Sequence, residues 1–145
     1  MIKKILTFVP YEKDDSVTKT FRFHLTEDDA TRLFLKYGDL SEYARKLQED
    51  DARDKVYELL RVLILMSYGE LDDGLFRKVK NEQPLYENFA ASKAFQVLIN
   101  ELFTADAEGN IPAFFEFIDG IMPEEAKAKA NDKVVRIDAH SGAQA

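Results

Sequence analysis

The chain has 145 residues, 46% of them hydrophobic and 12% aromatic, which suits one domain able to bury roughly 68–70% of its unfolded surface and excludes wholesale disorder. Lys+Arg 20 against Asp+Glu 27 leaves a net charge of -7, a balance that opposes counterion-release binding to nucleic acid and attraction to anionic lipid. With Cys 0, disulfide frameworks, thiolate nucleophiles and thiolate zinc sites are excluded together, and a reducing compartment fits.

Ile2 to Val9 is β-rich, and its early lysines followed by Pro10, Glu12 and Asp14 make it a first strand, not a signal peptide. Val17 to Leu25 alternates, with Val17, Lys19, Phe21, Phe23 and Leu25 on one face and Thr18, Thr20, Arg22 and His24 on the other, the pattern of a half-buried strand. The polar, proline-led stretch between them predicts an antiparallel hairpin with a longer loop. A two-stranded ribbon is marginal in water, so the face carrying Phe21 and Phe23 needs helices or another chain to cover it.

Thr26 followed by Glu27, Asp28 and Asp29 predicts an N-cap and an acidic first turn, favoured by the helix dipole. Ala30, Leu33, Phe34 and Tyr37 keep helical spacing up to Gly38, a C′ residue. Asp39 to Glu49 reads as a second helix. Asp51 or Asp54 opens a third, whose Val56, Leu59, Leu60, Leu63 and Ile64 form the widest apolar face in the chain. Its run from Leu59 to Met66 is about half the length a membrane span requires. Tyr68-Gly69 ends it. Glu70 to Asn81, with the turn signal Asp72-Asp73-Gly74 and few apolar residues, among them Leu75, Phe76 and Val79, is a long loop or a short hairpin.

Pro84 at a first helical position would open a short helix with Leu85, Tyr86 and Phe89. Ser92 caps the next, in which Phe95, Leu98, Ile99, Leu102 and Phe103 recur at helical spacing. Pro112 starts a helix whose Phe114, Phe115, Phe117, Ile118 and Ile121 occupy most of its circumference, which implies deep burial or a second partner surface. The expected fold class is α+β, an N-terminal β-hairpin followed by a mainly α-helical domain with about five to seven helices. Residues 1–123 are the expected domain, and 124–145 a charged helix extension with a mobile tail.

The residues offer little to catalysis. His24 and His140 are the only histidines, no Gly-x-Ser-x-Gly elbow exists, and the glycines are isolated, so neither a nucleophile with its base nor a phosphate loop can be built. The carboxylates Glu49, Asp50, Asp51 and Asp54, and the pair Asp72 and Asp73, lack the alternation and distal Glu of a calcium loop and suit helix starts and a solvated turn. No catalytic, metal or cofactor residue is expected. Phe 11 and Tyr 6 are mostly core material, but Phe76 in a loop and the Phe114 to Ile121 helix suggest apolar surface for a protein partner. The candidate partner-binding residues are therefore Phe76, Phe114, Phe115, Phe117, Ile118 and Ile121.

Several signposts carry a family resemblance. Phe21-Arg22-Phe23-His24-Leu25-Thr26 leads into an acidic helix start, and Ser67-Tyr68-Gly69 precedes Asp72-Asp73-Gly74 and Phe76-Arg77-Lys78. Phe89, Ser92, Ala94-Phe95 and Glu101-Leu102 come after these, and then Phe114, Phe117-Ile118, Gly120-Ile121 and Pro123. In this order the chain resembles the small tail assembly chaperones of long-tailed bacteriophages. The stretch Glu108-Gly109-Asn110-Ile111-Pro112 is longer than the family pattern, and the residues after Pro123 have no counterpart in it. The resemblance implies a non-catalytic factor of the host cytoplasm that coats the tape measure protein and helps tail-tube protein assemble around it. A homo-oligomer is a further option, and neither nucleic acid nor membrane is an expected partner. The competing expectation is a structural component of the mature virion, a tail or head-to-tail connector protein.

Overall fold

The structure is a computed structural model and describes residues 1–124. The expected charged extension and tail lie, after Glu124, outside the described residues. Strand β1 (Ile2–Phe8) pairs antiparallel with β2 (Val17–Phe23) over its whole length, with Ile2 opposite Phe23 and Phe8 opposite Val17. With the polar loop between them, the two strands form the hairpin that the alternation predicts. The second strand stops at Phe23 rather than Leu25, because the next amides turn to other partners: His24 N donates to Ser67 O and Leu25 N to Ile121 O, both at 2.8 Å.

Helix α1 (Glu27–Tyr37) opens on a capping box in which Thr26 Oγ1 accepts from Asp29 N and Asp29 Oδ2 accepts from Thr26 N, each at 3.1 Å. Gly38 ends it with φ +75°, a conformation that favours glycine. Helix α2 (Leu40–Glu49) is capped by Asp39, whose carboxylate accepts from Glu42 N. Helix α3 (Arg53–Ser67) departs from the expected opening: Ala52 holds the N-cap position with no side-chain cap, Asp51 is a left-handed turn residue, and Asp54 lies in the first turn. Its face of Val56, Leu59, Leu60, Leu63 and Ile64 is buried as the spacing predicts. The Ser67 hydroxyl, fully buried, donates to Leu63 O at 2.6 Å, which satisfies it where the helix ends.

Of the two forms open to Glu70 to Asn81, loop or hairpin, the chain adopts the hairpin. Strand β3 (Tyr68–Asp72) comes directly after α3 and pairs with β4 (Leu75–Arg77) across a turn in which Asp73 and Gly74 take φ of 51° and 78°, as a two-residue type I′ connection requires. Tyr68 and Gly69 also pair with Phe23 and Arg22, which completes a four-stranded antiparallel sheet in the order β1-β2-β3-β4. A second small ribbon joins β5 (Val79–Lys80) to β6 (Gln83–Pro84). Pro84 therefore belongs to a strand and not to a helix start, and α4 (Tyr86–Ala90) begins after it. Helices α5 (Lys93–Phe103) and α6 (Pro112–Ile121) run as expected, with Ser92 Oγ accepting from Phe95 N and Pro112 in the first turn of α6.

Helices cover one face of the sheet, with α5 and α6 against β1 and α3 in contact with α2, α4, α5 and α6. Aromatic rings join the layers. Phe23 lies 5.8 Å from Tyr68, 5.7 Å from Phe89 and 5.5 Å from Phe117, and the Tyr68 ring stacks on Phe89 at 4.3 Å with 7° between planes. Such pairs add to the free energy of burial itself. The fold is α+β, with an N-terminal antiparallel hairpin, helices and further strands, and six helices among the described residues.

Candidate partner-binding surface

The second face of the sheet lies away from α5 and α6, and strand alternation determines what it displays. Leu6 points to the core at 4% exposure, so its neighbour Ile5 points outward and is 71% exposed. Cross-strand partners share a face. Ile5 is opposite Thr20, Lys3 opposite Arg22, Arg22 opposite Gly69, and Leu71 opposite Phe76. Ile5, Leu71 and Phe76 thus stand on the outer face with Lys3 and Arg22, and Leu71 is 49% exposed.

Phe76 is half-buried because Gly69 makes room for its ring. A Cβ added at Gly69 would fall inside the contact distance of the Phe76 ring and lie 2.8 Å from Arg77 O. His24 meets the ring edge-on, with centroids 6.4 Å apart. Beyond the ring the chain is held by Lys78, whose Nζ donates to Asp29 Oδ2 at 2.6 Å and to Met66 O at 2.7 Å. Burial pushes the Asp29 carboxyl upward, but the Lys78 ammonium and the hydrogen bonds with Thr26 outweigh it and hold the group below the usual carboxylate range. On the core side of β3, burial and the adjoining Glu70 carboxylate push the Tyr68 phenol upward, and its O–H donates to Glu70 Oε2 at 2.7 Å.

The fold does not bring the six candidate residues together. Phe76 lies on the outer face, whereas Phe114, Phe117, Ile118 and Ile121 are 0–2% exposed in the core. Phe115 is half-buried beside Phe114, their rings 5.8 Å apart. Of the two explanations for that apolar helix, deep burial accounts for these four, and they offer no surface to a partner in this conformation. Ile5, Leu71 and Arg22 do not stand out in the sequence. One signal is present there, since the set Ile2, Leu6 and Phe8 is the more apolar side of β1 and leaves Ile5 as an aliphatic residue among Lys3 and Thr7.

Other features of the described residues bear on metal, ligand and membrane binding. Among them no group of three or more His, Cys, Asp or Glu side chains could hold a metal ion. Asp72 pairs with Arg77 at 3.4 Å, and Asp73 shapes the turn. A cavity of about 110 Å³ beside Ala52, Val56, Phe103 and Ile111 is smaller than the few hundred Å³ that a small-molecule ligand fills. No helix of the described residues is long and apolar enough to cross a membrane.

Fold and surface together define a small α+β protein whose sheet has one face in the core and an outer face that displays Ile5, Leu71 and Phe76 among threonines and the cations Lys3 and Arg22. Over residues 1–144 the sequence matches the model of the family described as phage tail assembly chaperone, so the chain belongs to that family, and the match runs past Pro123, where the resemblance offered no counterpart. Neither the curated proteins nor the solved structures give a match.

Proposed function

We propose that the protein is a non-catalytic tail assembly chaperone of the infected host's cytoplasm, which binds the tape measure protein and helps tail-tube protein assemble around it. The observation that carries this reading is the outer sheet face, where Ile5, Leu71 and Phe76 leave apolar surface open on a member of this family. A long helical protein exposes apolar stripes before its partners arrive, and a sheet face of this kind shields such a stripe until tube subunits replace it. Of the six candidate residues Phe76 remains the contact, joined by Ile5 and Leu71.

Co-expression with the tape measure protein tests the proposal. The wild-type chain raises the soluble yield of that protein, and Ile5→Asp, at a position 71% exposed and so of little consequence for folding, loses most of the gain. Equal yields with wild type, with Ile5→Asp and with no partner would remove the support. Mass spectrometry of purified particles separates the reading from its competitor, a structural component of the virion: a chaperone is absent, whereas a connector or tail protein is stoichiometric.

A further inference from the structure

The charge of the outer sheet face runs against that of the molecule. The chain has a net charge of -7, yet the ionisable side chains that strand alternation puts on this face, Lys3 and Arg22, are both basic. Of the carboxylates of the second hairpin, Glu70 and Asp72 share the side of Tyr68, where Asp72 pairs with Arg77, and Asp73 sits in the turn at its tip. Arg22 is half-buried opposite Gly69, where the Phe76 ring fills the space. Its Nε is covered by protein and has no hydrogen-bond partner, and its guanidinium makes no ion pair among the described residues. Holding a cation partly out of water without an anion beside it is unfavourable, and a carboxylate that meets the uncovered side of the guanidinium relieves the cost.

We infer that the outer face is built for an acidic amphipathic helix, with an apolar stripe that packs on Ile5, Leu71 and Phe76 and carboxylates beside the stripe that pair with Arg22 and Lys3. An uncovered sheet face takes a helix readily, because helix on sheet is the common layer packing. The apolar residues set the strength of the contact, and the two cations set its sign and register. Polyanions such as nucleic acid fit less well, since few cations stand on the face and the rest of the molecule repels them. This inference rests on the proposed function for the location of the surface and adds the chemistry of the segment bound.

The test uses the full chain and two synthetic helical peptides of about 20 residues. They share a Leu stripe and differ only in having Glu or Lys beside it. Fluorescence anisotropy at low salt is expected to give about tenfold tighter binding of the Glu peptide, a preference that shrinks at about 0.5 M salt. Arg22→Gln abolishes the preference while its melting temperature stays near that of the wild type, and Lys3→Gln reduces the preference with no expected effect on folding. The net charge alone predicts the opposite order. Equal affinities, tighter binding of the Lys peptide, or no binding of either overturns the inference. So does a self-associated chain that Ile5→Asp dissociates in sedimentation velocity, which would assign the face to a second copy. Because the tape measure protein is absent from this experiment, the proposed function can survive its failure, and the co-expression result decides that question separately.

Discussion

Gly69 stands opposite Arg22, and the space that a side chain there would take is filled by the Phe76 ring and Arg77 O. The same residue thus admits β3 to the sheet and seats the aromatic of the candidate surface. Gly69→Ala must displace the ring or open the hairpin, so a loss of about 1–3 kcal/mol is expected, of the size seen when a packed site is overfilled. A denaturant midpoint monitored by far-UV circular dichroism measures it, and an unchanged midpoint would show that Phe76 moves away at no cost. Phe76 itself is legible in the sequence, because an aromatic in a charged turn region stands out. Arg22 is not: a cation in an alternating strand looks solvated until the residue opposite it is known.

At the scale of elements, the second hairpin has two supports, the short β2–β3 pairing and the Lys78 contact that ties its far end to α1 and the end of α3. Asp29 serves twice, as the capping-box acceptor of α1 and as the partner of Lys78. Because the folded-state pKa of Asp29 lies below its ordinary value of 3.8, the contribution to stability is complete above that value and is lost as the pH falls through the lower, folded-state pKa. Thermal melts between pH 6 and about pH 2.5 should therefore show a steeper acid loss for wild type than for Asp29→Asn. Parallel curves would mean that the Lys78 pair is screened by solvent and contributes little. This hairpin is the element least visible in the sequence. Glu70 to Asn81 holds few apolar residues, and its strand character comes from pairing with Arg22 and Phe23, a contact distant in sequence. By contrast β1, β2, α1, α2 and α5 are legible because alternation, caps and helical spacing are local signals.

For the whole molecule, helices against one sheet face account for the distribution of its aromatics. Phe23, Phe89 and Phe117 meet in the core, and α6, apolar on nearly every side, contacts β1, α2, α3 and α5. Spacing alone cannot separate deep burial from a partner surface there, since both want the same residues, and only the neighbours of α6 decide between them. The face left open is the opposite one. Other exposed apolar side chains exist, above all Leu35 on α1 at 78% exposure with Phe34 beside it at 52%, a pair on a helix surface bounded by the charged residues Arg32 and Lys36.

That contrast gives the most direct measurement of the central claim, that the outer sheet face is where the tape measure protein binds. A photo-crosslinking phenylalanine analogue placed at Ile5 or, in a separate chain, at Leu35 reports what each surface touches during co-expression with the tape measure protein. A crosslinked product is expected from position 5, and little or none from position 35. A product from position 35 with none from position 5 would contradict it.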